Sequence, residues 1–140
     1  MNPLTLIRRR LRTQDNRMTA DPVFCVEQRR RIYVGEGELC CGEDDSYGHD
    51  WMDSDWQPVD RSVARRLDRL ERGGDPTPEG YTKNYYIEIW EFVTACFTEL
   101  GAKEYLRVNG HNLRSPRIYV RSGYRNAEWI AVRESLKGAK

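Results

Sequence analysis

The side chains able to act on a substrate or hold a metal are few in this chain: two histidines and four cysteines, set among 22 acids and 23 bases. Cys25, Cys40, Cys41 and Cys96 contain no C-x-x-C pair, and the adjacent Cys40 and Cys41 are poorly placed to bridge each other. A zinc site drawn from Cys40, Cys41, His49 and His111 would lack the short, repeated ligand spacing that sets two thiolates at tetrahedral positions. The acids lack the D-x-[DN]-x-[DN]-G spacing of a calcium loop. The sequence therefore predicts no metal and no cofactor. No G-x-S-x-G, P-loop, H-E-x-x-H or G-x-G-x-x-G run is present, so no catalytic residue is assigned and an enzyme is the less favoured reading. His111, inside Asn109-Gly110-His111-Asn112, reads as a hydrogen-bonding partner of a helix end, and Cys25 and Cys96, inside apolar strand patterns, as small core residues.

What remains is binding chemistry, and it is segregated by sign. Residues 1–35 hold eight arginines against three acids, net +5, whereas residues 36–60 hold nine acids and no Lys or Arg, net −9. Residues 61–80 add +1 and residues 81–140 add +4, so the formal total of +1 conceals both fields. Sign blocks rather than totals decide which surface attracts which partner. Glu36, Glu38, Glu43, Asp44, Asp45, Asp50, Asp53 and Asp55 are accordingly the candidate acidic partner-binding surface. Nineteen of the 23 bases are Arg, whose planar fork pairs with carboxylate or phosphate better than Lys does.

These groups must be positioned by 140 residues and 16.5 kDa, the size of one domain or one domain plus a tail. Residues 1–20 carry five arginines with few apolar partners and read as a basic, flexible tail, leaving residues 21–140 as a single domain. Met18 directly precedes the first strand-like run and offers an alternative start, with the leading residues as an upstream extension. The run VFCVEQRRRIYV, Val23 to Val34, alternates as a strand. Gly35 to Glu38 supply a turn, Leu39 to Cys41 a return strand, and Trp51 to Val59 a second short hairpin around Asp53-Ser54-Asp55. Asp60 is placed to cap a helix in which Val63, Ala64, Leu67 and Leu70 recur at helical spacing and Arg61, Arg65, Arg66, Arg69 and Arg72 take other positions, paired with Asp68 and Glu71; Gly73-Gly74 ends it. Tyr85 to Phe97 is the most apolar run and reads as a central strand. Thr98 caps a third-quarter helix that stops at Asn109-Gly110, Arg117 to Val120 is a short strand, and a final helix buries Ala127, Trp129, Ile130, Val132 and Leu136. The sum is an α+β fold: a small mixed or antiparallel sheet with about three helices packed mainly on one face.

The run from Trp90 to Leu136, with WEFVTACFTE, NGHNL, PRIY and YRNAEW in that order, together with VFCVEQRRRIY from Val23 to Tyr33, resembles a family of small uncharacterised proteins carried by tailed bacteriophages and prophages of proteobacteria. The resemblance implies a phage accessory protein and assigns no reaction. RIYVRSGYRNAEW is similar to the first strand, loop and helix start of nucleoside 2-deoxyribosyltransferase-like proteins. That likeness implies nucleotide binding by Tyr119, Ser122, Tyr124, Arg125 and Asn126, near a helix start that favours anions. Catalysis by that route is not expected, because the family's nucleophilic carboxylate lies tens of residues downstream of a loop that here is followed by 14 residues.

The expected function is contact: an accessory protein that engages a host or defence protein handling nucleic acid, inhibiting it through the acidic surface. The alternatives are a nucleotide- or nucleoside-binding domain using residues 117–126, and a DNA-binding protein using the basic tail and the 61–72 helix. No run approaches a membrane span, and Leu4-Thr5-Leu6-Ile7 is too short for a secretory h-region, so a cytoplasmic protein with reduced cysteines and no membrane partner is expected.

Overall fold

Period-two runs become strands, and runs with apolar residues three and four apart become helices. The computed structural model describes residues 2–34 and 47–138. In chain order these form α1 (Pro3–Thr13), β1 (Pro22–Val34), β2 (Tyr47–Met52), α2 (Arg61–Arg72), β3 (Thr82–Cys96), α3 (Glu99–Asn109) with a 3-10 turn at Gly110–Asn112, β4 (Arg117–Ser122) and α4 (Ala127–Lys137). The strands lie in the order β2-β3-β1-β4 in one antiparallel sheet, an α+β architecture with four α-helices among the described residues. The Gly35–Glu38 turn and the Leu39–Cys41 return strand lie outside the described residues.

Backbone contacts divide the chain into two compact units, Met1–Arg29 with Trp90–Lys140, and Arg30–Ile89; β1 and β3 each run through both. In the first unit β1 pairs with β4 so that Phe24 opposes Val120 and Val26 opposes Ile118. Phe24, Val26 and Ala102 are its fully buried centre, surrounded by Val93, Cys96, Tyr105, Leu106, Leu113, Ile118 and Val120. α3 therefore covers the even-numbered face of β1. Thr98 caps α3 as its sequence predicts, its Oγ1 accepting from the Gly101 N–H at 3.0 Å. Cys25 is buried and Cys96 packs on the core; burial pushes both thiols up, which suits packing residues.

The basic segment read as a tail is largely a helix. Asn2 accepts from the Leu4 N–H at 2.9 Å and Pro3 occupies the first turn, where a missing N–H is harmless. Leu11 is buried, and four of the five arginines, all but Arg9, are spent within the same unit. Arg8 Nε and Arg12 Nε donate to the Leu136 and Lys137 carbonyls at 3.1 and 3.0 Å, where the last turn of α4 has no helical donors left. Arg10 grips Glu104 through two bonds of 2.6 and 3.0 Å, and Arg17 reaches Glu99 at 2.6 Å. The entropy cost of ordering is met by pairing distant charges as well as by apolar burial.

α4 corrects the pattern-based assignment of its faces. Ala127 and Val132 are exposed, and the helix buries Arg133 instead, at 1% exposure. Its guanidinium donates to the Ala20 carbonyl (3.0 Å), Asn16 Oδ1 (2.9 Å) and Asp21 Oδ1 (3.4 Å), clasping the chain just ahead of β1. Trp129 stacks on Phe97 with ring centres 4.2 Å apart. Gly123 permits that stack, since a Cβ there would lie 2.7 Å from the indole.

Among the described residues of the second unit, Trp51, Met52 and Leu67 are the buried apolar ones. The Trp51–Val59 segment does fold back on itself: the Val59 N–H donates to the Trp51 carbonyl at 2.9 Å and Met52 bridges Pro58. Asp60 stands at the N-cap position of α2, but its side chain makes no capping bond there. Gly73 and Gly74 do end the helix, with Gly74 at φ +74°, a conformation that costs a side-chain-bearing residue more.

Candidate polyanion-binding surface

α2 owes its position to Leu67, which faces the core of its unit, while Arg61, Arg65, Arg66, Arg69 and Arg72 are all exposed. The two acids expected to pair with this row are turned to other partners. Asp68 Oδ1 accepts from Trp51 Nε1 at 2.9 Å and lies 2.8 Å from His49 Nε2, bonds that hold its carboxyl below the usual range. Glu71 accepts from Lys83 Nζ at 2.6 Å. None of the five arginines forms an ion pair among the described residues. Arg65, Arg69 and Arg72, spaced four and three apart on one face, line a cavity of about 480 Å³. Like charges at this spacing repel, at a few tenths of a kcal/mol per pair, so the row is a local cost to the isolated helix. An anion seated among the guanidiniums relieves it.

The acidic candidates fare differently. Glu36, Glu38, Glu43, Asp44 and Asp45 lie outside the described residues. Asp50 is compensated inside its own unit: its Oδ2 accepts from Arg31 Nη1 and from the Tyr33 hydroxyl, both at 2.8 Å. Burial and that carboxylate push the Tyr33 phenol up. Asp53 Oδ1 accepts from the Asp55 and Gln57 N–H groups at 2.9 Å each, closing a loop, and Asp55 stays exposed on it. At the tip of that loop Trp56 is 65% exposed and held at φ +57°, an unusual conformation for a bulky residue. Its position in the sequence carried no sign of either property.

The 117–126 candidates are only partly brought together. Tyr119 and Ser122 line a cavity of about 540 Å³ with Arg17, Met18, Thr19 and Val120. Ser122 Oγ sits 2.9 Å from Thr19 Oγ1 and accepts from the Tyr124 N–H at 3.1 Å. Asn126 is spent as the cap of α4, accepting from the Trp129 N–H at 3.1 Å. Tyr124 is exposed beside Arg125, whose guanidinium lies 5.2 Å from the ring centre.

Sequence reasoning missed a cluster on the odd-numbered face of β1. Glu27 is fully buried, yet it accepts from Arg117 Nε and Nη2 at 2.9 and 2.8 Å and from Arg121 Nη2 at 2.8 Å. Burial pushes its carboxyl up, but the bonds from Arg121 and Arg117 outweigh it, and the net direction is downward. Arg117 stacks 3.7 Å from the Trp90 ring centre and 4.6 Å from that of Tyr119; Arg29 lies 4.9 Å over Trp90 and Arg121 5.7 Å from Tyr119. The available signal was period two: Cys25, Glu27 and Arg29 alternate on one side of β1 and R-x-Y-x-R on one side of β4, and the pairing register puts both on the same face. Of the two histidines, His49 is engaged by Asp68, and His111 is exposed in the 3-10 turn without the helix-end bond assigned to it. No family model, curated protein or solved structure matches the chain.

Proposed function

We propose that the protein binds the phosphate backbone of nucleic acid through the arginine row of α2. One observation carries this reading: five exposed arginines on a 12-residue helix form no ion pair among the described residues, because Asp68 and Glu71 make their close contacts elsewhere. Planar guanidiniums are suited to phosphate oxygens, and among the described residues only Arg69 Nε is spent within the helix, on the Arg65 carbonyl at 3.3 Å. Phosphate contacts fix affinity rather than sequence, so binding is expected to be tolerant of sequence and steeply dependent on salt. The basic tail contributes little to this role, since four of its five arginines, Arg8, Arg10, Arg12 and Arg17, are already paired or capping.

The test is fluorescence anisotropy with labelled DNA across a salt series. Arg65→Gln/Arg69→Gln/Arg72→Gln, all at exposed positions, should weaken binding and lower the slope of log affinity against log salt by about 2 to 3. Affinity that ignores salt, or a triple variant that binds as the parent does, would sink the reading.

A second reading has its own support. An accessory protein of phage or prophage origin that engages a host or defence protein needs an anchor, and Trp56 is a large aromatic presented on a hydrogen-bonded loop beside Asp53 and Asp55. Asp50 contributes little field to such a surface, being compensated by Arg31.

A further inference from the structure

The first unit has a second feature with the chemistry of nucleic-acid recognition, and it stands on that unit alone. One face of its strands is closed: Phe24, Val26, Ile118 and Val120 pack with Ala102 of α3. By alternation the other face carries Cys25, Glu27 and Arg29 on β1, Arg117, Tyr119 and Arg121 on β4, and Trp90 and Phe92 on β3. Two of its rings are open to solvent, Tyr119 at 46% and Phe92 at 58%. Both rings offer an open π-face to a planar partner.

The charge of the face says what would cover it. Arg117 and Arg121 share a single carboxylate, Glu27, so this trio keeps one positive charge. Both guanidiniums lie against the Tyr119 ring, at 4.6 and 5.7 Å, and Glu27 fixes them there from below. The result is a strand face on which the exposed Tyr119 ring has two guanidiniums beside it, with the exposed Phe92 ring on the neighbouring stretch of β3. A basic protein is repelled by such a surface, and a purely apolar peptide leaves the guanidiniums unmatched. Unpaired bases offer π-faces to stack on rings, and their phosphates offer oxygens to guanidiniums. Bases in a duplex are stacked on one another, so their π-faces are not open to rings on a strand.

We propose that this face of the first unit binds single-stranded nucleic acid, with unpaired bases stacking on Tyr119 and Phe92 and phosphates meeting Arg121 and Arg117. Trp90 is a positioning residue, holding Arg117 at 3.7 Å.

The experiment compares a labelled oligo(dT) strand of about 12 nucleotides with a duplex of equal length, both titrated with the full chain at one salt concentration. Oligo(dT) should bind more tightly than duplex. Tyr119→Ala/Phe92→Ala should weaken oligo(dT) binding about tenfold or more and change duplex binding less than about twofold, whereas Tyr119→Phe and Phe92→Tyr should keep the preference. Thermal melts of the variants guard against misfolding, and both substituted rings are exposed enough to be removed without opening the core. In the arginine-row triple variant, both ligands should weaken together and the preference for the single strand should persist. Equal affinity for the two ligands in the parent chain overturns this proposal while leaving the α2 reading intact; so does a Tyr119→Ala/Phe92→Ala chain that is folded and still prefers oligo(dT). No binding of either ligand overturns both.

Discussion

Glu27 is a carboxylate placed where the strand pattern alone gives no reason for one, and it is tolerated because Arg117 and Arg121 supply every bond its two oxygens need for charge compensation. Breaking one side of a buried pair costs more than the pair contributes, because the remaining charge stays in a poor solvent. Arg117→Met keeps an apolar stem for the Trp90 stack but removes two of the three bonds to Glu27, and should destabilise the fold by about 2 kcal/mol at neutral pH. Its guanidinium is about one-third exposed, 35%, so solvent screening argues against a much larger figure. The pH dependence has a definite sign. Glu27 is held below its unfolded value, so its contribution is complete above the ordinary carboxylate range and is lost as pH falls through the lower folded value. Without Arg117 that lowering shrinks, and the gap between parent and variant should close in acid. Urea titrations at neutral and acid pH read the gap directly; a gap that stays constant would show that Glu27 is not what the substitution exposes. Neither Glu27 nor Arg133 was legible in the sequence, because both owe their burial to partners about 90 to 117 residues away, beyond any local pattern.

Elements were far more legible than side-chain roles, and the exception is instructive. β1, α2, β3, α3, β4 and α4 all coincide closely with runs of clear period, since each buries one face against a neighbour. α1 escaped because its arginines made it look unable to bury enough surface. Its local signals were nevertheless present: Asn2 before Pro3, then Leu4, Ile7 and Leu11 at helical spacing. What anchors α1 is charge meeting a helix end, with Arg8 and Arg12 donating to the last carbonyls of α4. Arg8→Ala/Arg12→Ala should therefore release α1 before anything else. At about 1 kcal/mol per bond, amide hydrogen exchange within residues 3–13 should speed up by roughly ten- to thirtyfold, while the β1 amides at Phe24 and Val26 keep their protection. Faster exchange throughout the first unit would mean that α1 holds up the sheet rather than merely docking on it. The arginine row of α2 was legible as a row, and as a DNA-binding alternative, but not as a row without ion pairs. Its expected partners, Asp68 and Glu71, are neighbours in sequence, and only the fold turns them towards Trp51, His49 and Lys83.

A chain with formal charge +1 would be expected to feel little electrostatic dependence on pH if its charges were uniformly solvated, yet its native pairs bias the titration in both directions. Glu27, Asp68, Glu99, Glu104 and Glu134 all have lowered carboxyl pKa values, the last three through hydrogen bonds from Arg17, Arg10 and Lys137. Burial raises the Cys25 and Cys96 thiols and, with Asp50, the Tyr33 phenol. The lowered carboxylates stabilise the fold above their unfolded values near ~4 and lose that effect as pH falls through the folded ones. The raised thiols and phenol work the other way: their contribution is intact below the unfolded values of about 8.5 and 10 and is lost as pH rises through the folded values. Melting temperature should consequently be flat from about pH 5 to pH 8 and fall on both sides. Below about pH 4 the unfolded chain takes up more protons than the native one at several sites together, so the acid limb should correspond to more than one proton per molecule. Raising the salt concentration should soften the share of that limb from the exposed Glu104 pair and leave the share from buried Glu27. Calorimetric melts at half-unit pH steps in low and high salt measure all of this. A maximum in acid, or an acid limb abolished by salt, would mean that diffuse surface charge, rather than the named guanidinium–carboxylate pairs, governs the fold's response to pH.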